Sequence, residues 1–141
     1  MTFIASAGDR GSQVNWPVVS PNVLSVGGTT FKLDINGKVV KNEIAWQNSG
    51  GRTSMYIKQP SYQKEYGIKH NTKAVSDVSF FADSSIGVAV YCSTKYNPST
   101  LGWIKMSGTS LGSPACSALI ALANEKNKKS IFYLLDFYTL F

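Results

Sequence analysis

The chain has 141 residues, 43% of them hydrophobic and 16% charged, with 14 Lys and Arg against 8 Asp and Glu for a formal charge of +6. That is ordinary for a globular chain long enough to build one core, and its two cysteines, Cys92 and Cys116, exclude a disulfide-stapled scaffold without fixing whether they pair. The positive charge would suit acidic surfaces or nucleic acid, but most lysines are scattered through loops. Only Lys126-Asn127-Lys128-Lys129 forms a patch, which reads as a helix-end charge complement, and no zinc spacing, phosphate loop or aromatic RNA-binding motif accompanies it. In chain order, short Val-, Ile- and Phe-rich runs bounded by turn residues predict strands over 2–6, 23–29, 75–82, 87–92 and 103–106. Asp34-Ile35-Asn36-Gly37-Lys38 predicts a hairpin turn between Phe31–Leu33 and Val39-Val40, with Asn36-Gly37 suited to positive φ. Residues 60–66 predict one or two helical turns. One long helix is expected over 115–124, where nearly continuous hydrophobicity implies burial on most sides, Cys116 included.

The chemistry concentrates at Gly108-Thr109-Ser110-Leu111-Gly112-Ser113-Pro114, between the strand at 103–106 and that helix. A helix that begins at or just after Ser110 leaves its first N–H groups unpaired and aimed at whatever lies in front of them, which favours a developing oxyanion. Gly108 and Gly112 permit a tight turn and close approach, and Pro114 is tolerated in a first helical turn. Taken alone, the run reads equally as a seat for a nucleophilic serine or as an ordinary Ser N-cap.

Further segments decide between them. Phe3-Ile4-Ala5-Ser6-Ala7-Gly8-Asp9, Trp16-Pro17 through Val26-Gly27-Gly28-Thr29-Thr30, Glu43-Ile44-Ala45-Trp46, Ser49-Gly50-Gly51-Arg52, Pro60-Ser61-Tyr62-Gln63, Asp77-Val78-Ser79-Phe80-Phe81 and Ser107-Gly108-Thr109-Ser110 follow one another in an order that resembles the sedolisin, or serine-carboxyl peptidase, family. The resemblance covers Thr2 to about Asn124. It implies an α/β fold, an incomplete subtilisin-like doubly wound and mostly parallel sheet, with residues 1–127 forming the C-terminal part of the peptidase domain and 128–141 a divergent apolar tail. It further implies a serine-type peptidase of endopeptidase or tripeptidyl-peptidase type, with Ser110 as nucleophile and Asp9 in the oxyanion hole, donating a hydrogen bond from its protonated form. Arg10 replaces the family's usual serine and is expected to face solvent. Gly50 and Gly51 are either part of a substrate-binding wall or a glycine loop supporting the sheet, and Arg52 stands where the family carries a further glycine. Asp77 and Asp83 are expected to make structural hydrogen bonds, Ser76 taking the place of a family proline.

The family's general base is a Glu-x-x-x-Asp pair on a helix well before the Ala-Gly-Asp motif, and this sequence offers none. Its three glutamates are followed four residues later by Gln47, Lys69 and Lys129. A serine without an adjacent base is a weak nucleophile, so the chain alone is expected to be inactive. The lone His70 sits in the polar, basic Ile68–Lys73 loop and reads as an exposed loop histidine rather than as that base. Calcium is expected in full-length relatives, but its site is missing here. Asp136 stands alone in the apolar 131–141 tail, which is too short to span a membrane and lacks the several oxygen ligands calcium requires. The expected partners are a peptide or protein substrate and a chain supplying the missing N-terminal half. The alternative is a noncatalytic remnant or basic binding module. Met1-Thr2-Phe3-Ile4 leads straight into a strand with no signal-peptide core, while relatives are often exported, so the compartment stays open.

Overall fold

In the computed structural model, which describes residues 1–94 and 101–128, the organising element is a strand in which every residue from Val23 to Gly28 is buried. This strand, β2 (Val23–Leu33), is apolar and small on both faces, as a central strand covered from both sides must be. Its first half pairs in parallel with β1 (Phe3–Ser6), from Phe3↔Val23 to Ser6↔Val26. A second parallel neighbour, the later strand β6 (Val78–Phe81), runs from Val26↔Val78 to Thr29↔Phe81. Because Val26 meets Ser6 and Val78 together, β1 and β6 lie on opposite edges of β2. The far end of β2 pairs antiparallel with β3 (Val39–Ala45), every residue of which is exposed.

Around this sheet lie two antiparallel pairs and two helices. β4 (Arg52–Lys58) pairs with β5 (Thr72–Val75), and the short helix α1 (Ser61–Glu65) fills the connection between them. β7 (Val88–Cys92) pairs with β8 (Gly102–Met106), where Tyr91 and Trp103 meet edge to face with ring centroids 5.4 Å apart. The chain then enters α2 (Thr109–Asn127), which covers one face of the sheet through Leu24 and Ile120, with Ile4, Val78 and Ala123 packed around them. On the opposite face Ala7, Val18 and Val75 form a second cluster with Ala5, Val14 and Val19. Leu24, Val26 and Val18 are essentially inaccessible. Each such side chain contributes about 1.5–3 kcal/mol through burial. The architecture is the expected α/β sheet, parallel at its centre and extended by antiparallel pairs.

Several local expectations are corrected. The strand expected over 75–82 is two strands, β5 and β6, because Ser76 and Asp77 leave the extended line, the Asp77 N–H donating to Ser25 O at 3.0 Å. In the hairpin turn only Gly37 takes positive φ, at 77°, while the Asp34 carboxylate accepts from the N–H groups of Asn36 and Lys38. That side chain closes the turn instead of Asn36. α2 starts at Thr109, six residues before the apolar run, so Pro114 lies inside it and deprives the Ser110 carbonyl of its helical donor. It is also buried on one side only, through Thr109, Gly112, Cys116 and Ile120, whereas Leu119 and Leu122 are 48% and 61% exposed. Cys116 is buried as expected, and burial pushes its thiol pKa up. Both Cys92 and Cys116 are free thiols. The apolar tail and the last lysine of the 126–129 patch lie outside the described residues.

Candidate active site

β1 runs into Ala7-Gly8-Asp9, and β8 runs into Ser107-Gly108-Thr109-Ser110; the fold brings these two turns together. Ala7 continues the β1 register, its N–H donating to Val26 O at 2.8 Å. Gly8 O then accepts from the Gly50 N–H at 2.7 Å. Gly50 is buried there, and a Cβ on it would stand 1.9 Å from Ala7 O, so only glycine lets this loop back the turn. On the other side the Gly108 N–H donates to Ala82 O at 2.7 Å, tying the serine loop to the end of β6.

The junction is made by Thr109, which is fully buried. Its N–H donates to Asp9 Oδ1 at 2.7 Å, its hydroxyl donates to the same oxygen at 2.8 Å, and that hydroxyl accepts from the Gly8 N–H at 3.0 Å. The N-cap of α2 is Gly108, which has no side chain to offer, and the first turn holds no acidic residue. Asp9 therefore supplies from another element the carboxylate that a helix N-terminus favours. Asp9 Oδ2 lies against Gly108 and accepts no hydrogen bond among the described residues. Ser110 follows in the first turn, exposed, one residue beyond the Asp9–Thr109 tie. Since the cap position belongs to Gly108, Ser110 is not the N-cap of this helix.

The remaining candidates fall in different places. Gly51 has room for a Cβ, 3.5 Å from Val75 O, and Arg52 is exposed where β4 begins. Arg10 is exposed as expected and forms no ion pair with Asp9. His70 is exposed and lines a groove of about 640 Å³ with Gln59, Lys64, Ile68 and Asn71; among the described residues it makes no hydrogen bond to Asp9 or Ser110. Asp77 accepts from the Ser25 N–H and hydroxyl at 2.8 and 2.6 Å, from Gln63 Nε2 at 2.7 Å and from the Tyr62 hydroxyl at 3.3 Å. Asp83 accepts from the Thr30 hydroxyl and, at 2.8 Å, from the Ser85 N–H. Both aspartates make the structural hydrogen bonds expected of them. Among the described residues no three His, Cys, Asp or Glu side chains converge.

Sequence reasoning missed two residues. Thr109 stands in the sequence only as one residue of a motif, although a Thr directly after a side-chain-free cap is well placed to recruit a distant acceptor. Lys73 carried no local signal. It is wholly buried, its Nζ donating to Ser20 O and Val23 O at 2.6 and 2.7 Å and standing 3.5 Å from Asp77 Oδ2. Desolvation pushes its pKa down, against the pull of Asp77.

A parallel-centred α/β sheet with a serine at the head of a helix and an aspartate reaching that helix from a neighbouring strand end defines a subtilisin-like peptidase scaffold. The chain belongs to the subtilase family, whose pattern matches residues 1–136. It is similar to sedolisin of Pseudomonas sp. (strain 101), with 31% identity over 98% of this chain and 26% of that protein. Rat tripeptidyl-peptidase 1 is 29% identical over 89% of this chain and 25% of its own length. The structure of Pseudomonas sedolisin complexed with two molecules of pseudo-iodotyrostatin superposes with a TM-score of 0.75 at 29% identity, covering 91% of this chain and 39% of that one. The chain thus spans about a quarter of the curated relatives it matches.

Proposed function

We propose that these residues are the nucleophile-bearing segment of a serine peptidase, completed by a further polypeptide segment that supplies the general base. The observation that carries this reading is the Asp9–Thr109 tie, which sets a carboxyl group at the head of α2 beside an exposed Ser110. Ser110 Oγ bonds to the carbonyl carbon of a peptide while its proton passes to the incoming base, and the carbonyl π electrons move onto oxygen. The Ser110 N–H stabilises that oxyanion, the Thr109 and Leu111 N–H groups already donating to Asp9 Oδ1 and Gly108 O, and Asp9, held by Thr109 at the head of α2, completes the oxyanion hole. Collapse of the intermediate breaks the C–N bond as the base returns its proton to the departing amine, and water then releases the acyl group. Gly51, exposed beside the Asp9 turn, provides backbone that an extended substrate can approach, whereas Gly50 is buried with its N–H on Gly8 O and supports the turn.

The test is peptide hydrolysis from acidic to neutral pH by the 141-residue protein alone, and with the portion of Pseudomonas sedolisin that precedes its matched stretch, each beside a Ser110→Ala control. Hydrolysis only in the mixture, abolished by Ser110→Ala, is expected. Hydrolysis by the protein alone that survives Ser110→Ala, or that is lost in His70→Ala, overturns the assignment.

A further inference from the structure

We propose that the groove along the connection from α1 to β5 docks an extended acidic peptide segment, whose carboxylates meet Lys64 and Lys69 and whose backbone meets Asn71. The inference stands apart from the peptidase reading, since none of these residues belongs to the Asp9–Ser110 site. The groove, of about 640 Å³, has Lys64 of α1 and the loop residues Lys69 and His70 along it, with Gln59 and Asn71 at the facing ends of β4 and β5. No carboxylate lines it; even Glu65, next to Lys64, does not. Lys64, Lys69 and His70 are exposed, and among the described residues neither lysine forms an ion pair. A concave wall carrying one sign of charge focuses its field on whatever enters, and an anion here meets cations that surrender no existing partner.

The frame of the groove is fixed without a ligand. Gln59 spans the loop, its N–H donating to Asn71 O at 3.1 Å and its Nε2 to Ile68 O at 2.6 Å. The Gly67 N–H donates to Lys64 O and the Ile68 N–H to Gln63 O, both at 3.0 Å, and Gly67 makes the turn with a φ of 90°. Gln63 is bonded in turn to both backbone groups of Ala74 in β5. These bonds occupy backbone and glutamine groups, so among the described residues the side chains of Lys64, Lys69, His70 and Asn71 stay uncommitted. A loop already held in place lowers the ordering cost of association. The lining also selects among anions. The exposed amide of Asn71 carries both a donor and an acceptor, which complements the N–H and C=O of a peptide unit, whereas an ionised phosphate diester only accepts. No Phe, Tyr or Trp lines the groove to stack the bases of a single-stranded nucleic acid.

The test titrates the 141-residue protein into fluorescently labelled hexaglutamate, followed by anisotropy, and hexaglutamate into the protein, followed by backbone amide shifts in NMR. Expected is saturable binding with a Kd below about 1 mM and shift changes gathered at Lys69, His70 and Asn71. Raising the ionic strength from about 0.05 M to about 0.5 M should weaken it about fivefold or more. Lys64→Glu with Lys69→Glu should weaken it about tenfold or more, whereas Lys32→Glu with Lys41→Glu, the same change of net charge on exposed residues of β2 and β3, should leave it within about twofold. Lys64→Gln with Lys69→Gln removes the charge without reversing it, and a smaller loss in the same direction is expected there. No saturable binding, equal losses in the two charge-reversed variants, or shift changes confined to other surfaces overturns the proposal. Hexathymidylate bound as tightly as hexaglutamate also overturns it, by making the groove a surface for nucleic acid.

Discussion

Gly108 lies where backbone conformation and charge meet. Its φ of 98° is disfavoured for any L side chain, and a Cβ there would stand 2.6 Å from Asp9 Oδ2. Gly108→Ala is therefore expected to destabilise the fold by about 1–3 kcal/mol and to displace Asp9 from Thr109; an unchanged urea midpoint with unshifted Gly8 and Thr109 resonances would contradict this. Asp83 allows a second test at this scale. The Ser85 N–H and then the Thr30 hydroxyl hold its carboxyl pKa below the ordinary 3.8. A carboxyl whose folded value lies under its unfolded one adds stability that is fully present above the unfolded value and is lost as pH falls through the folded one. Asp83→Asn should flatten the acid limb of the stability profile, read from urea midpoints between about pH 6 and about pH 2, and an unaltered slope would show that this carboxyl is not coupled to folding.

Elements that share no sheet are joined through the interior by Lys73. From β5 it reaches the carbonyls of Ser20 and Val23 before and at the start of β2, and it faces Asp77, which also binds Ser25 of β2 and Tyr62 and Gln63 of α1. Gln63, itself fully buried, completes the link with its amide, donating to Ala74 O at 2.7 Å and accepting from the Ala74 N–H at 2.9 Å. Lys73→Met strips a buried carboxylate of its cation and should cost about 3–5 kcal/mol in urea denaturation, whereas Lys69→Met in the exposed neighbouring loop should stay within about 0.5 kcal/mol. Equal effects at the two positions would refute the role given to the buried pair. Nothing in the local sequence marks Lys73 for burial, because its partners are carbonyls some fifty residues away. The same non-locality split the strand expected over 75–82: alternation extends through Ser76 and Asp77, but the hydrogen bonds of Asp77 to β2 and α1 pull the chain off that line.

Across the whole molecule, the sequence exposed what depends on order and short-range pattern. The serial motifs pointed to the family, β1, β7 and β8 could be placed from their apolar runs, and Asp9 and Ser110 stood out as the chemically pointed residues. Hidden from it was whatever depends on two remote segments touching: the early start of α2, fixed by the Thr109 bonds to Asp9 and Gly8, and the one-sided burial of that helix.

The Asp9–Thr109 tie has a consequence for the timing of biosynthesis. Its two partners are 100 residues apart. At a ribosomal rate of about 5–20 residues per second, Asp9 is made about 5–20 s before the threonine that will hold it. Throughout that interval the Asp9 carboxyl lacks the Thr109 donors that fix it, so the head of α2 can be assembled only after residue 109 has been translated.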